Sequence, residues 1–260
     1  KMVEGTPVTF QTTEENHFKA TVEQLEAART DKTKVVLLNS PSNPTGMIYS
    51  KEELEAIGNW AVEHGILILA DDIYGRLVYN GNTFTPISSL SEAIRKQTIV
   101  INGVSKTYAM TGWRVGFAVG YPEIIGAMAK VISQTTSNLT TVSQYAAIEA
   151  LTGDQSSIEI MRQAFEERLN TIYPLLNEVP GFEAIKPHGA FYLFSNVKKA
   201  KEMKGYTDVT AFTTAILEAA EVALVIGPGI GTLENVGLSY ATALDNLKEV
   251  VRCIQDILEK

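Results

Sequence analysis

Residues 35–39, 66–70, 98–102 and 115–120 are apolar almost throughout, reading VVLLN, ILILA, TIVIN and VGFAVG. A strand with one wet face alternates polar and apolar positions; a run without alternation is buried on both faces. The first three runs start about thirty residues apart, the spacing of strand, crossover helix and returning parallel strand. Between the first two, Ser50 is a helix N-cap and Glu53 stands at the capping-box position, so a helix is expected over residues 51–63. The fourth run follows the third too soon for a crossover, so it is expected as an antiparallel neighbour in a mixed sheet.

The pattern changes further along. Helices are expected over 122–133 and 141–151, and a longer one over 156–178 carries Ile158, Met161, Phe165, Leu169, Ile172 and Leu176 on one stripe. Beyond it, short strands over 181–185, 189–194, 222–226 and 236–241 mix with helices over 208–220 and 244–260, the texture of an α+β module. The fold class read from this is α/β. A large domain with a mostly parallel mixed sheet flanked by helices spans residues 1–175, and a small C-terminal α+β domain spans 176–260.

A chain of 260 residues with 45% hydrophobic and 20% charged residues buries an ordinary globular core. A net charge of -8 with no basic face excludes a nucleic-acid partner. No apolar run reaches the roughly 20 residues of a membrane span, and Lys1 to Gly5 lack the apolar stretch of a signal peptide. With Cys253 the only cysteine, no internal disulfide forms, and the expected compartment is cytoplasmic.

Chemistry gathers at the ends of the first three strands, the edge where open α/β sheets collect ligands. Asn39 to Gly46 (NSPSNPTG) follows the first. It reads either as a rigid strand-to-helix turn or as a turn that fixes a side-chain amide for a phenolate-like oxygen. Asp71-Asp72-Ile73-Tyr74 follows the second. Adjacent carboxylates there need a positive partner, a metal or a pyridinium, or else they open a helix. His17, His64 and His188 have no ligand spacing with them. Ser105 to Arg114 (SKTYAMTGWR) follows the third. A lysine at that edge can attack a carbonyl carbon, and an arginine nearby can hold a phosphate. Together these are the parts that hold pyridoxal phosphate.

In these three segments the sequence resembles the class I/II, fold-type I, pyridoxal-phosphate-dependent aminotransferases, and most of all the bacterial aspartate or aromatic branch. Pro187 to Tyr192 (PHGAFY) is similar to that branch's small-domain strand. The resemblance implies that Lys106 carries the cofactor as a Schiff base and shuttles the proton at the substrate α-carbon. It implies Asp71, rather than Asp72, on the ring nitrogen, and Asn43 and Tyr74 on the ring oxygen. Arg114 is implied as the phosphate ligand with Ser105 beside it, and Asn43-Pro44 as a cis bond. Amino acids and 2-oxo acids would be the substrates, with no metal, and the full-length parent would be a homodimer.

Two departures accompany the resemblance. It covers about the last two thirds of the family chain, and Lys1 in place of Met fits an excised fragment. The missing part supplies phosphate-binding amides, a ring stacked on the cofactor and a tyrosine for the partner's site. Gly237 stands where the family has an arginine for the substrate α-carboxylate. Two further readings stay open: a β-eliminating C–S lyase on the same fold, and a catalytically incompetent aminotransferase fragment.

Overall fold

The computed structural model describes residues 5–259. Contacts divide the chain into one compact unit of residues 1–41, 47–76 and 83–159 and another of 42–46, 77–82 and 160–260. The expectations for Lys1 to Glu4 and for Lys260, the last residue of the helix over 244–260, lie outside the described residues.

The first unit runs through α1 (Val22–Ala28), β1 (Val35–Asn39), α2 (Lys51–Glu63) and β2 (Leu67–Asp71). It continues with α3 (Glu92–Gln97), β3 (Thr98–Gly103), α4 (Val104–Thr107) and β4 (Gly116–Val119). After α5 (Pro122–Thr135) and α6 (Thr141–Thr152), α7 (Ser156–Glu178) leads into the second unit. The sheet order is β1-β2-β3-β4. The first three strands are parallel, with Asn39 opposite Asp71 and Asp71 opposite Ile101. β4 returns antiparallel, with Gly103 opposite Gly116. The mixed sheet read from the apolar runs is therefore the one observed.

α2 begins where its capping box puts it: the Glu53 amide donates to Ser50 Oγ at 3.2 Å, and the Ser50 amide donates to Glu53 Oε2 at 2.6 Å. Its Leu54, Ile57 and Trp60 pack with Leu38, Ile68 and Ala70 of the sheet and with Ile94. Burying each large apolar side chain contributes roughly 1.5–3 kcal/mol, which holds this layer to the strands. Elsewhere the unit is open. Leu37 is 67% exposed, Val119 60%, Val142 70% and Tyr145 71%.

The second unit contains β5 (Glu183–Ala184), β6 (Tyr192–Asn196), α8 (Lys198–Met203) and α9 (Val209–Ala220). It closes with β7 (Val225–Ile226), β8 (Asn235–Ser239) and α10 (Leu244–Glu259). Its sheet is antiparallel, in the order β5-β6-β8-β7. α10 turns Leu247, Val251, Ile254 and Leu258 inward, one apolar stripe at helical spacing. The strands expected over 181–185 and 222–226 shrink to two residues each. The one expected from 189 starts at Tyr192, because Ala190 has φ 59°, a left-handed conformation no strand residue adopts. α3 is the crossover helix that the strand spacing implied between β2 and β3, whereas the short helices α1, α4 and α8 were not expected from the sequence.

Candidate active site

Lys106 lies in the single-turn helix α4, directly beyond the last residue of β3. Its Nζ sits 5.7 Å from the centre of the Tyr74 ring, which is buried just past β2. Gly103 makes this corner possible. A Cβ there would stand 2.7 Å from the Val115 carbonyl oxygen and 3.1 Å from Gly116 Cα, so only glycine lets the two strands approach this closely. The loop that follows closes on itself. Thr111 Oγ1 donates to the Ser105 carbonyl at 3.2 Å, and Arg114 Nη1 donates to the Thr111 carbonyl at 2.8 Å. Lys106, half-buried Ser105 and exposed Arg114 thus share one compact loop.

The adjacent carboxylates part company. Side chains alternate along a strand, so Asp71, the last residue of β2, falls on the face opposite Ile68 and Ala70, with its register partner Asn39. Asp71 Oδ1 accepts from the Ile73 amide at 3.2 Å, and Asn39 Nδ2 donates to the Asp71 carbonyl at 3.0 Å. Asp72 is 6% exposed, and burial, aided by the charge of Asp71, pushes its carboxyl up to about 7. The helix-start reading of this pair is corrected here: the chain makes a turn, with the Gly75 amide donating to the Asp72 carbonyl at 2.9 Å, and no helix follows. Among the described residues no group of three or more His, Cys, Asp and Glu side chains could hold a metal ion.

Asn43 belongs to the second unit. Asn43-Pro44 is cis, and so is Ser40-Pro41, which the sequence did not single out. The Gly46 amide donates to the Ser42 carbonyl at 2.8 Å and closes the turn. Gly46 has φ 68°, and a Cβ on it would lie 2.4 Å from Pro187 Cβ and 2.7 Å from the Gly189 carbonyl oxygen. The Gly46 carbonyl accepts the amides of His188 at 3.0 Å and Gly189 at 2.9 Å. Gly237, buried in β8 opposite Phe194, has an ordinary backbone. A Cβ there would meet Val225 Cβ at 3.5 Å and Pro44 Cβ at 4.0 Å, normal contacts, so nothing local requires glycine.

A family model described as aminotransferase class I and II matches residues 1–254. The chain belongs to this family. Among the class I and II aminotransferases it is 74% identical over 260 residues to an asparagine–oxo-acid transaminase of Streptococcus mutans, covering 100% of this chain and 66% of that protein. Identity to an aspartate aminotransferase of Bacillus subtilis is 51% over 260 residues, with the same two shares. The solved structure of an aspartate aminotransferase from Rhizobium meliloti matches with a TM-score of 0.93 at 37% identity, covering 98% of this chain and 66% of that one. The chain thus spans just under two thirds of the length of these relatives. The fold and family given by the motifs are the ones found. Among the described residues no helix is long and apolar enough to cross a membrane.

The sequence reading missed Tyr79 and Tyr240, two buried tyrosines whose hydroxyls both donate to the Ala190 carbonyl, at 2.5 Å and 3.3 Å. Nothing local in the sequence marks them, because the shared acceptor lies far from both along the chain.

Proposed function

We propose that this chain carries the catalytic lysine of a pyridoxal-phosphate-dependent aminotransferase that moves an amino group between an amino acid and a 2-oxo acid. The carrying observation is Lys106 at the end of β3, against the buried Tyr74 ring and in one loop with Arg114. The donor chemistry fits the cofactor. An amine suits its aldehyde, the Asp71 carboxylate its ring nitrogen, the Asn43 amide and Tyr74 phenol its ring oxygen, and Arg114 with Ser105 its phosphate. When bound, the cofactor supplies an aldehyde that captures amines and a protonated ring that accepts an electron pair.

The residues divide the remaining work. With the cofactor bound, Lys106 Nζ would take the proton from the substrate α-carbon. Asp71 would keep the ring nitrogen protonated, and Arg114 would hold the phosphate end. Gly237 gives the substrate α-carboxylate no side-chain donor, so weak substrate binding is expected of this chain. Relatives named for asparagine and aspartate support a substrate of that kind. The expected domain boundary at residue 175 falls within α7, while the compact units divide earlier in that helix, between Glu159 and Ile160. A cytoplasmic location and, for the longer protein, a homodimer complete the proposal; the exposed apolar residues of α6 support the latter.

The test is borohydride reduction in the presence of pyridoxal phosphate, followed by peptide mass analysis. The pyridoxyl mass is expected on Lys106 and absent from that peptide in Lys106→Ala. Labelling spread evenly over surface lysines would overturn the assignment. Release of ammonia from substrate without a 2-oxo acid acceptor would overturn transamination.

A further inference from the structure

We propose that Tyr79 and Tyr240 are positioning residues that aim the Asn43 amide, acting through the carbonyl of Ala190 and the backbone of Gly46. The inference rests on the reading of Asn43 as a donor to the cofactor's ring oxygen, and it adds residues that no motif marks.

Ala190 has φ 59°, a conformation that an alanine leaves readily unless its peptide group is held. Here it is held from several sides. Tyr79 Oη donates to the Ala190 carbonyl at 2.5 Å and Tyr240 Oη at 3.3 Å, both from buried rings. The Ala190 amide donates to the Leu77 carbonyl at 2.9 Å, and the Tyr79 amide to the His188 carbonyl at 3.0 Å. The left-handed turn at Ala190 presents the two preceding amides, His188 and Gly189, to the single carbonyl of Gly46. The Gly46 amide in turn closes the turn that carries Asn43.

The chain of contacts is therefore continuous from the two hydroxyls to the Asn43 turn, and every link belongs to the second unit. A phenylalanine at either position would fill the same core volume. What a hydroxyl adds is direction: two donors on one oxygen fix the plane of a peptide that would otherwise relax toward negative φ. That relaxation would swing the His188 and Gly189 amides off Gly46 and release the turn. The shorter bond assigns the larger share to Tyr79.

The experiment compares Tyr79→Phe and Tyr240→Phe in the whole chain. Without cofactor, amide exchange at His188 and Gly189 is expected to rise about tenfold in Tyr79→Phe, and less in Tyr240→Phe, for the loss of one hydrogen bond. The side-chain amide resonances of Asn43 should shift in the same order. With pyridoxal phosphate attached to Lys106, the absorbance pH titration should move in Tyr79→Phe in the direction seen for Asn43→Ala, and adding Tyr79→Phe to Asn43→Ala should move it no further. Unchanged exchange and unchanged Asn43 signals would overturn the proposal, as would raised exchange with a cofactor titration that does not move. If Tyr79→Phe fails to fold, Tyr240→Phe decides by the same readouts. If the unaltered chain takes up no cofactor at Lys106, the functional reading fails, while exchange and the Asn43 signals still decide the positioning role.

Discussion

Lys106 and Asn43 are held by different physics. Lys106, Asp71 and Tyr74 stand at the ends of parallel strands whose register puts Asn39 opposite Asp71 and Asp71 opposite Ile101. The ladder of hydrogen bonds repeats the placement of those strands, and Gly103 is the position near Lys106 where an added methyl group would break it. Asn43 sits in an irregular turn fixed by one glycine and a few backbone bonds, Gly46 accepting from His188 and Gly189. There, one added methyl group is enough to change the outcome. Placement by a sheet ladder tolerates more change than placement by one irregular turn.

The sharpest way to break this contrast is Gly46→Ala. It combines a left-handed φ with overlap of backbone atoms, so a loss of about 3–5 kcal/mol is expected by chemical denaturation. A variant as stable as the parent would show that the turn is softer than its contacts imply.

Asp72 tests the sheet side. Its folded-state carboxyl titrates near 7, against an ordinary 3.8, so the folded chain holds a proton that the unfolded chain has released. That contribution is fully present below about pH 4 and is lost as pH rises through 7. Between pH 5 and pH 8 the parent should lose about 2–3 kcal/mol that Asp72→Asn does not lose. Equal slopes in the two proteins would place the ionised carboxylate in a wetter setting than its burial indicates.

The smallest effect is expected at Gly237. A strand-interior glycine with room for a methyl group costs roughly 0.5–1 kcal/mol relative to alanine, so Gly237→Ala should raise the unfolding midpoint slightly. A fall would mean that β8 needs the space.

What the sequence made legible follows the same division. The unbroken apolar runs became β1 to β4 within a residue or two, and the Ser50 and Glu53 pair marked the start of α2. The same signature, Thr21 with Gln24, starts α1, but only seven residues follow and its apolar face is thin, so periodicity gives little signal. β5 and β7 keep two residues each because irregular backbone on either side ends the ladder. Lys106, Asp71, Tyr74 and Arg114 could be proposed from the sequence because local strings carry them. Tyr79, Tyr240 and Ala190 were not, because their meeting is a property of the folded chain alone. The left-handed φ of Ala190 leaves no mark in the string PHGAFY beyond the glycine before it.

The second unit is stitched from three stretches, residues 42–46, 77–82 and 160–260. A body assembled this way has no cut point. Expressed alone, residues 160–260 would leave the His188 and Gly189 amides without the Gly46 oxygen, and the Ala190 oxygen without its closer phenol. The two short stretches that supply them are joined to the rest of the chain by residues of the other unit. The division visible in space is therefore not one that a protease or a gene boundary could reproduce with a single break.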